Sequence, residues 1–479
     1  MPDQPLIYFI DLPTFPKGVI SLSFPAIAAS LPEKYPIVFV DLNLIGFSDK
    51  NVRDFKSGNV FFVGIKVSLQ NYKYAIDTTE KLRTYNKNLK IIWGGEYPTL
   101  FPKEASLYAD SIVCGAFENV SSEILADLTL YSLKRSYDGK KNYNCSVLKP
   151  ARYSILKNGK FYSQTMGFPL ETSRGCDKKC TFCMVHTMQP LNNFKTLNQL
   201  NLELKILNGK YVNVIDYNIG SNKEHLDNVI KAFTSSKTLG WMGEMCLESL
   251  DDDDLLKRLA KSKCRIIYCG LESIDEESLL SINKAKTNNV ENYSRIIRKA
   301  QSHGIQIAAG IIIGMEGANK GNIDATFQFY QSIGIIYAKL TFLTYNPGTK
   351  VFQSMKRVGA YLTDKIEYFD GNHFTFLPRR VNKEEVMASL IENINSFYSK
   401  RNILKRAANA GLKDLEFQEF IHFNLSYREV YLKWIKNDIF NNEEGFKKLL
   451  NKKYKKSNAI IQSEKTINKI RKKRMLRNQ

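Results

Sequence analysis

The sequence has little of several things, and each shortage excludes a class. No stretch reaches 18 uncharged apolar residues. The most apolar run, GIQIAAGIIIGM at 304–315, carries a glutamine and is too short to cross a bilayer, so no membrane span is expected. No basic residue precedes Lys17 and no small-residue cleavage site follows, so a signal peptide is not expected. A cytoplasmic chain with reduced thiols follows, and its eight cysteines read as metal ligands or buried core rather than a disulfide framework. No G-x-G-x-x-G opens a helix, which argues against a dinucleotide guest. Histidine is scarce: five residues, at 186, 225, 303, 373 and 422, with none in the first 130 positions.

Apolar residues are not scarce. At 43% hydrophobic content, 479 residues can bury two or three domain cores, and a fully disordered chain is excluded. The net charge of +21 is unevenly spread. Residues 447–479 hold thirteen Lys/Arg and one Glu, so +12 of it lies in a tail. That tail reads as solvated and partly helical, or as a contact for an acidic partner.

Apolar runs at 6–10, 37–42, 60–67, 89–93 and 111–114 alternate with helical signals. Tyr72, Ala75, Ile76, Thr79 and Leu82 fall on one helical face. Continuous apolar strands between amphipathic helices predict a doubly wound, Rossmann-like parallel sheet over 1–135. Ligands of such sheets bind at the carboxyl ends of the strands. The loops there are 11–18, the stretch after Val67, GGEYPT at 94–99 and CGAFE at 114–118. A linker is expected at 136–165, with a hairpin around Asn158–Gly159. Six further strand candidates, 167–172, 211–216, 240–247, 265–271, 305–313 and 336–344, predict a partial (β/α)6 barrel over 166–380. Beyond it, 381–446 reads as helical, opening on Asn382 with Glu385 three residues on, and 447–479 is the tail.

RGCDKKCTFC at 174–183 sets Cys176, Cys180 and Cys183 at C-x3-C-x2-C spacing, directly after the first barrel strand. With His186 three residues on, a Cys3His zinc site is one reading. The other is a 4Fe–4S cluster, in which three thiolates hold three irons and the fourth iron stays open. An open metal position marks a reactive site, and the carboxyl end of a barrel is where chemistry is done.

ETSRGCDKKCTFC closely resembles the cluster loop of the radical S-adenosylmethionine (radical SAM) enzymes. CGLESIDEESLLSINK (269–284), HGIQIAAGIIIGMEG (303–317) and YNPGT (345–349) resemble the fourth, fifth and sixth strand motifs of that superfamily. YFDGNHFTFLP (368–378) and WGGEYPTLFPKEASLYADSIVCGAFE (93–118) resemble segments of members that carry an N-terminal cobalamin-binding domain. The resemblance covers about 1–400. It implies that S-adenosylmethionine chelates the open iron, and that one electron cleaves a carbon–sulfur bond to give a 5′-deoxyadenosyl radical acting on an unactivated carbon. It also implies a one-electron donor such as flavodoxin or ferredoxin.

Residue roles follow from the same resemblance. Cys176, Cys180 and Cys183 would ligate the cluster. Phe182 would pack near the adenine, and Glu272 and Ser273 would reach the cofactor. Gly310 and Gly314 would let backbone approach the adenosine. Asp216 ends the second barrel strand, but relatives often show two adjacent acids there and this chain has Asp216–Tyr217. Ser68, Gly94, Gly95, Tyr97 and Gly115 would contact cobalamin. No histidine is available to ligate cobalt from the first domain. Either cobalamin binds without a protein imidazole, or the domain keeps the fold without the cofactor.

Other features read as structural. Asp251–Asp254 precede an amphipathic, lysine-rich helix and are expected to cap it. Cys246, Cys264 and Cys269 are expected in the core, and His373 in a satisfied loop. The leading expectation is a cobalamin-dependent radical SAM methylase. Its rivals are radical rearrangement or oxidative cyclisation on the same architecture, and a zinc-stabilised RNA-binding protein.

Overall fold

The computed structural model describes residues 4–437, apart from 14–19, 142, 157–166, 190–192, 286, 358, 364, 377–381 and 413. The hairpin expected at Asn158–Gly159 and the basic tail lie outside the described residues.

The first sheet holds β1 (Leu6–Asp11), β2 (Ile37–Asp41), β3 (Val60–Lys66), β4 (Ile91–Gly94), β5 (Ser111–Gly115) and β6 (Ser136–Gly139). It is parallel throughout, in the order β2-β1-β3-β4-β5-β6. Helices on both faces enclose two cores, one around Trp93 and Leu82 and one around Phe9, Phe62 and Ile124. The chain reverses its direction of winding between β1 and β3, so crossovers leave a crevice at the carboxyl ends of the strands. The helical face read at 72–82 becomes helix Tyr72–Tyr85, with Ala75, Thr79 and Leu82 buried. Strand β6 was not foreseen. The sheet therefore runs on to Gly139, into the stretch expected to be a linker.

The second sheet is an open half-barrel. Its strands are β7 (Phe168–Leu170), β10 (Tyr211–Val214), β11 (Gly240–Glu244), β12 (Cys264–Glu272), β13 (Gln306–Ile313) and β14 (Ala338–Phe342). All six pair in parallel and in chain order. Between β7 and β10 the short strands β8 (Ser173–Arg174) and β9 (Asn193–Phe194) form an antiparallel pair that bounds the cysteine loop. Asp252 caps helix Asp253–Lys261 by accepting from the Asp254 and Leu255 amides, so the acidic run is a helix start. Helices Lys383–Phe397, Lys400–Asn409 and Asp414–Asn437 close the chain as described.

The two sheets share cores as well as a chain. Phe352 and Phe369, which follow the barrel, are buried in the core of the first domain. Glu367 accepts from Tyr72 and Lys73 on helix Tyr72–Tyr85. No helix among the described residues is long and apolar enough to cross a membrane.

Candidate active site

The cysteine loop is anchored at its root. Asp216, at the end of β10, is 1% exposed. It accepts hydrogen bonds from the Thr172 amide at 2.7 Å, the Ser173 hydroxyl at 2.6 Å and the Thr172 hydroxyl. Its carboxylate is thus taken up by Thr172 and Ser173 at the root of the loop. Gly175 then turns the chain with φ of 99°, a region that favours glycine, and Cys176 follows.

Cys176, Cys180 and Cys183 are all partly buried and free. Burial pushes each thiol up, Cys180 to about 11, while Lys284 pulls Cys180 and Cys183 the other way. Among the described residues no three His, Cys, Asp or Glu side chains converge as one metal ion would require. Three thiolates on one short loop are what a 4Fe–4S cluster with one open iron requires. A Cys3His zinc would need His186 as its fourth ligand. His186 is engaged elsewhere, with Nε2 at 2.5 Å from the Lys178 carbonyl.

The ends of β12 and β13 build the adjoining wall. Glu272 sits in the left-handed region at φ 67°, and the β12–β13 register shifts between Cys269 and Glu272. Its carboxylate folds into the barrel and meets Lys284 at 2.9 Å. Lys284 also donates to the Gly270 carbonyl at 2.9 Å, and Asn288 donates to the Gly270 and Leu271 carbonyls. Burial opposes the Lys284 charge, but Glu272 and the Cys180 thiol hold its pKa above the ordinary lysine value. Ser273 is 5% exposed, and its hydroxyl accepts from the Asp275 amide.

The space at two glycines is filled by protein. A Cβ on Gly310 would lie 2.6 Å from the Tyr268 hydroxyl and 2.7 Å from Glu272 Oε2; one on Gly314 would lie 3.0 Å from the Phe374 ring. Phe182 packs beside Ile312, Met315 and Phe376, and its carbonyl accepts from Asn346 of the YNPGT motif at 3.3 Å. His373 is satisfied by Asp370 at 2.9 Å.

Tyr217, next to Asp216, lies near charged groups of both domains. Tyr217 is 47% exposed, yet burial pushes its phenol up to about 12. The charged groups it feels, Cys183, Glu171, Glu96 and Arg174, come from both sides of the interface. Glu244 ends β11, and burial raises its carboxyl despite Lys339.

A cavity of about 270 Å³ opens between the two domains. Gly64, Gly94, Gly95 and Gly115 line it from the first domain. Glu171, Arg174, Gln189 and Asn193 line it from the root and return of the cysteine loop. A Cβ on Gly94 would meet only Val113, at 4.0 Å, so its open side faces the cavity. No histidine is among the lining residues. Of the five residues expected to contact cobalamin, Gly94, Gly95 and Gly115 line the cavity, and Ser68 and Tyr97 do not. The Tyr97 ring is held in the domain core by stacking on Tyr72 at 4.7 Å. The Ser68 hydroxyl is buried without a hydrogen-bond partner.

The Radical SAM superfamily family model matches residues 170–330, the segment from β7 through β13. The chain carries a radical SAM domain. Such domains work with a 4Fe–4S cluster, S-adenosylmethionine and an electron donor. Several relatives of this radical SAM enzyme are methyltransferases, and another is a cyclase. The bacteriochlorophyllide d C-12(1)-methyltransferase of Chlorobaculum tepidum is 25% identical over 419 residues, covering 85% of this chain and 89% of that protein. The solved structure of the cobalamin-dependent S-adenosylmethionine radical enzyme OxsB with aqua-cobalamin bound superposes with a TM-score of 0.67 at 15% identity, covering 94% of this chain and 75% of that one. The radical S-adenosylmethionine methyltransferase TsrM from Kitasatospora setae, solved with tryptophan substrate and a SAM analog, gives a TM-score of 0.65 at 12% identity, covering 89% and 99%. At these identities the structural likeness is one of fold.

Residue-by-residue reading of the sequence did not single out Lys284, Glu118, Arg174 or Tyr217. Lys284 closes the quoted fourth-strand motif, and Arg174 stands two residues before Cys176, so both were in view. The pairings were not, because nothing local marks a contact across 12 or 56 positions.

Proposed function

We propose that this radical SAM enzyme holds a corrinoid in the cavity between its two domains and transfers a methyl group to an unactivated carbon. The observation that carries this reading is the shared cavity, with a glycine floor from the first domain and a wall from the cysteine loop. Backbone at Gly94 leaves open the side where a side chain would fill the cavity, and Gly95 and Gly115 continue the floor in backbone conformations that favour glycine. None of the described lining residues is a histidine, so cobalt would be held without a protein imidazole. When bound, the cluster supplies the electron that cleaves S-adenosylmethionine and the corrinoid supplies the methyl group.

The chain's own residues bind, orient and exclude water. Cys176, Cys180 and Cys183 would hold three irons. Phe182, Ser273 and the Glu272–Lys284 pair would frame S-adenosylmethionine. Gly310 and Gly314 act indirectly, by giving room to Glu272, Tyr268 and Phe374. Tyr217 and Glu244 face the space where substrate would meet both cofactors. An acidic flavodoxin or ferredoxin would serve as donor, and the enzyme would work in the cytoplasm.

The test is cobalamin retention. The cluster is reconstituted anaerobically, hydroxocobalamin is added, the protein is desalted, and corrinoid per chain is measured. Near-stoichiometric retention is expected. No retention, with S-adenosylmethionine cleavage intact, would sink the methylase reading in favour of other radical chemistry. In the same preparations, Cys180→Ala is expected to lose the brown absorbance near ~400 nm that iron–sulfur clusters give. Retention of that band would move the cluster away from this loop.

A further inference from the structure

Arg174 stands at the root of the cysteine loop, and its side chain leaves the barrel. Its Nη2 donates to Glu118 of the first domain at 2.8 Å, and its Nε donates to Glu171 at 2.5 Å. The guanidinium lies 4.6 Å from the Tyr143 ring centroid. Arg174 is 12% exposed and Glu118 6%. Burial opposes the charge on Arg174, but Glu171 and Glu118 hold it firmly protonated. All four residues line the interdomain cavity.

Packing alone does not call for this group. Three largely buried charges are costly to desolvate, and apolar residues of similar volume would often serve stability as well. What a buried, forked arginine supplies is register. The register here is specific. Asp216 pins Thr172 and Ser173 from the barrel side, and Glu118 pins Arg174 from the first domain. The backbone entering Cys176 is thus fixed from two directions.

We propose that Glu118 and Arg174 form an interdomain clasp that positions the cysteine loop, so that the cluster is held in register with whatever occupies the cavity. They are positioning residues. The inference rests on the assignment of Cys176, Cys180 and Cys183 as cluster ligands.

Wild-type, Glu118→Gln, Arg174→Lys and double-variant chains are reconstituted with iron and sulfide and reduced with dithionite. Three quantities are read: iron per chain, the electron paramagnetic resonance signal of the reduced cluster with S-adenosylmethionine, and 5′-deoxyadenosine formed from S-adenosylmethionine alone. Glu118→Gln nearly preserves shape and is expected to keep its iron. Its cluster signal is expected to broaden and its turnover to fall about tenfold, as misplacement of a reacting group does. The double variant is expected to be no worse than the poorer single variant, the mark of two residues acting as one unit. A wild-type signal and turnover in Glu118→Gln would overturn the clasp, and so would additive losses in the double variant. If Arg174→Lys fails to hold iron, the Glu118→Gln signal decides alone. Corrinoid retained by the wild-type chain judges the cavity separately, because none of these three readouts requires corrinoid.

Discussion

Glu272 has a backbone that its side chain must justify. A non-glycine residue at φ 67° carries strain of about 1–3 kcal/mol. The turn persists because Lys284 holds the Glu272 carboxylate while Lys284, Asn288 and Tyr293 all donate to the Gly270 and Leu271 carbonyls. Replacing Lys284 with Met would remove the cation and leave Glu272 10% exposed at its side chain with no opposite charge in contact. The expected loss is about 3–5 kcal/mol, as for other broken buried pairs. It would appear as a lowered melting temperature together with weaker S-adenosylmethionine binding. Wild-type stability in Lys284→Met would mean that the Asn288 and Tyr293 contacts hold the turn without the cation. The polar pair ending an apolar strand was legible in the sequence. The lysine that holds it was not, because it acts across a helix turn rather than within a strand pattern.

At the scale of elements, the half-barrel must protect the edge it leaves open. Strand β14 has β13 on one side only, and helices Lys383–Phe397 and Asp414–Asn437 cover the other. The Tyr398 and Tyr431 hydroxyls take the place of a neighbouring strand. They accept from the Ala338 and Leu340 amides, at 3.2 and 3.0 Å, and both donate to the Ala338 carbonyl. Tyr431→Phe would leave the buried Leu340 amide without its acceptor, at a cost of about 1–3 kcal/mol. Faster hydrogen exchange at that amide, with β12 unchanged, is the expected result. Helix Lys383–Phe397 also docks through Asp324, which accepts from Ser389 at 2.6 Å and Asn393 at 2.5 Å and also bonds Lys320. Partial burial works against the Asp324 charge, yet these donors hold its pKa below the ordinary value. A carboxyl with a depressed folded pKa contributes fully above its unfolded value of about 3.9, and that contribution is lost as pH falls through the folded value. Asp324→Ala should therefore lower stability at pH ~7, and the gap between wild type and variant should begin to narrow only below pH ~3.9 and shrink further as pH falls through the depressed folded value. Denaturant midpoints across that range check it, and a gap that persists in acid would contradict it. All six barrel strands were legible because each falls in a mostly apolar stretch between helical signals, even where Asn213, Arg265 or Lys339 interrupts it. Strand β6 was not, because Ser-Tyr-Asp-Gly at a sheet edge carries no such run and depends on pairing with β5.

The whole molecule is joined by contacts that no local pattern reveals. The two-part organisation could be read from two separate strand–helix series, but not that the chain beyond the barrel returns to complete the first domain. Phe369 is 3% exposed and lies against Phe352 and Tyr361, with ring centroids 5.5 and 5.1 Å away. Phe352 and Phe369 belong to the core that holds Trp93 and Leu82. Lys73 and Tyr72 bind Glu367 two residues before Phe369, which fixes the returning segment on helix Tyr72–Tyr85. A Phe→Ala change in such a core costs about 3–5 kcal/mol. If the loss falls where the packing is, Phe369→Ala should loosen the first domain although the residue lies more than two hundred positions beyond it in the chain. Amides of helix Tyr72–Tyr85 should exchange faster in the variant, while those of β12 keep their wild-type protection. Equal loosening of both would mean that the two domains unfold as one cooperative unit, and no change at the helix would mean that the returning segment only rests on the domain it covers.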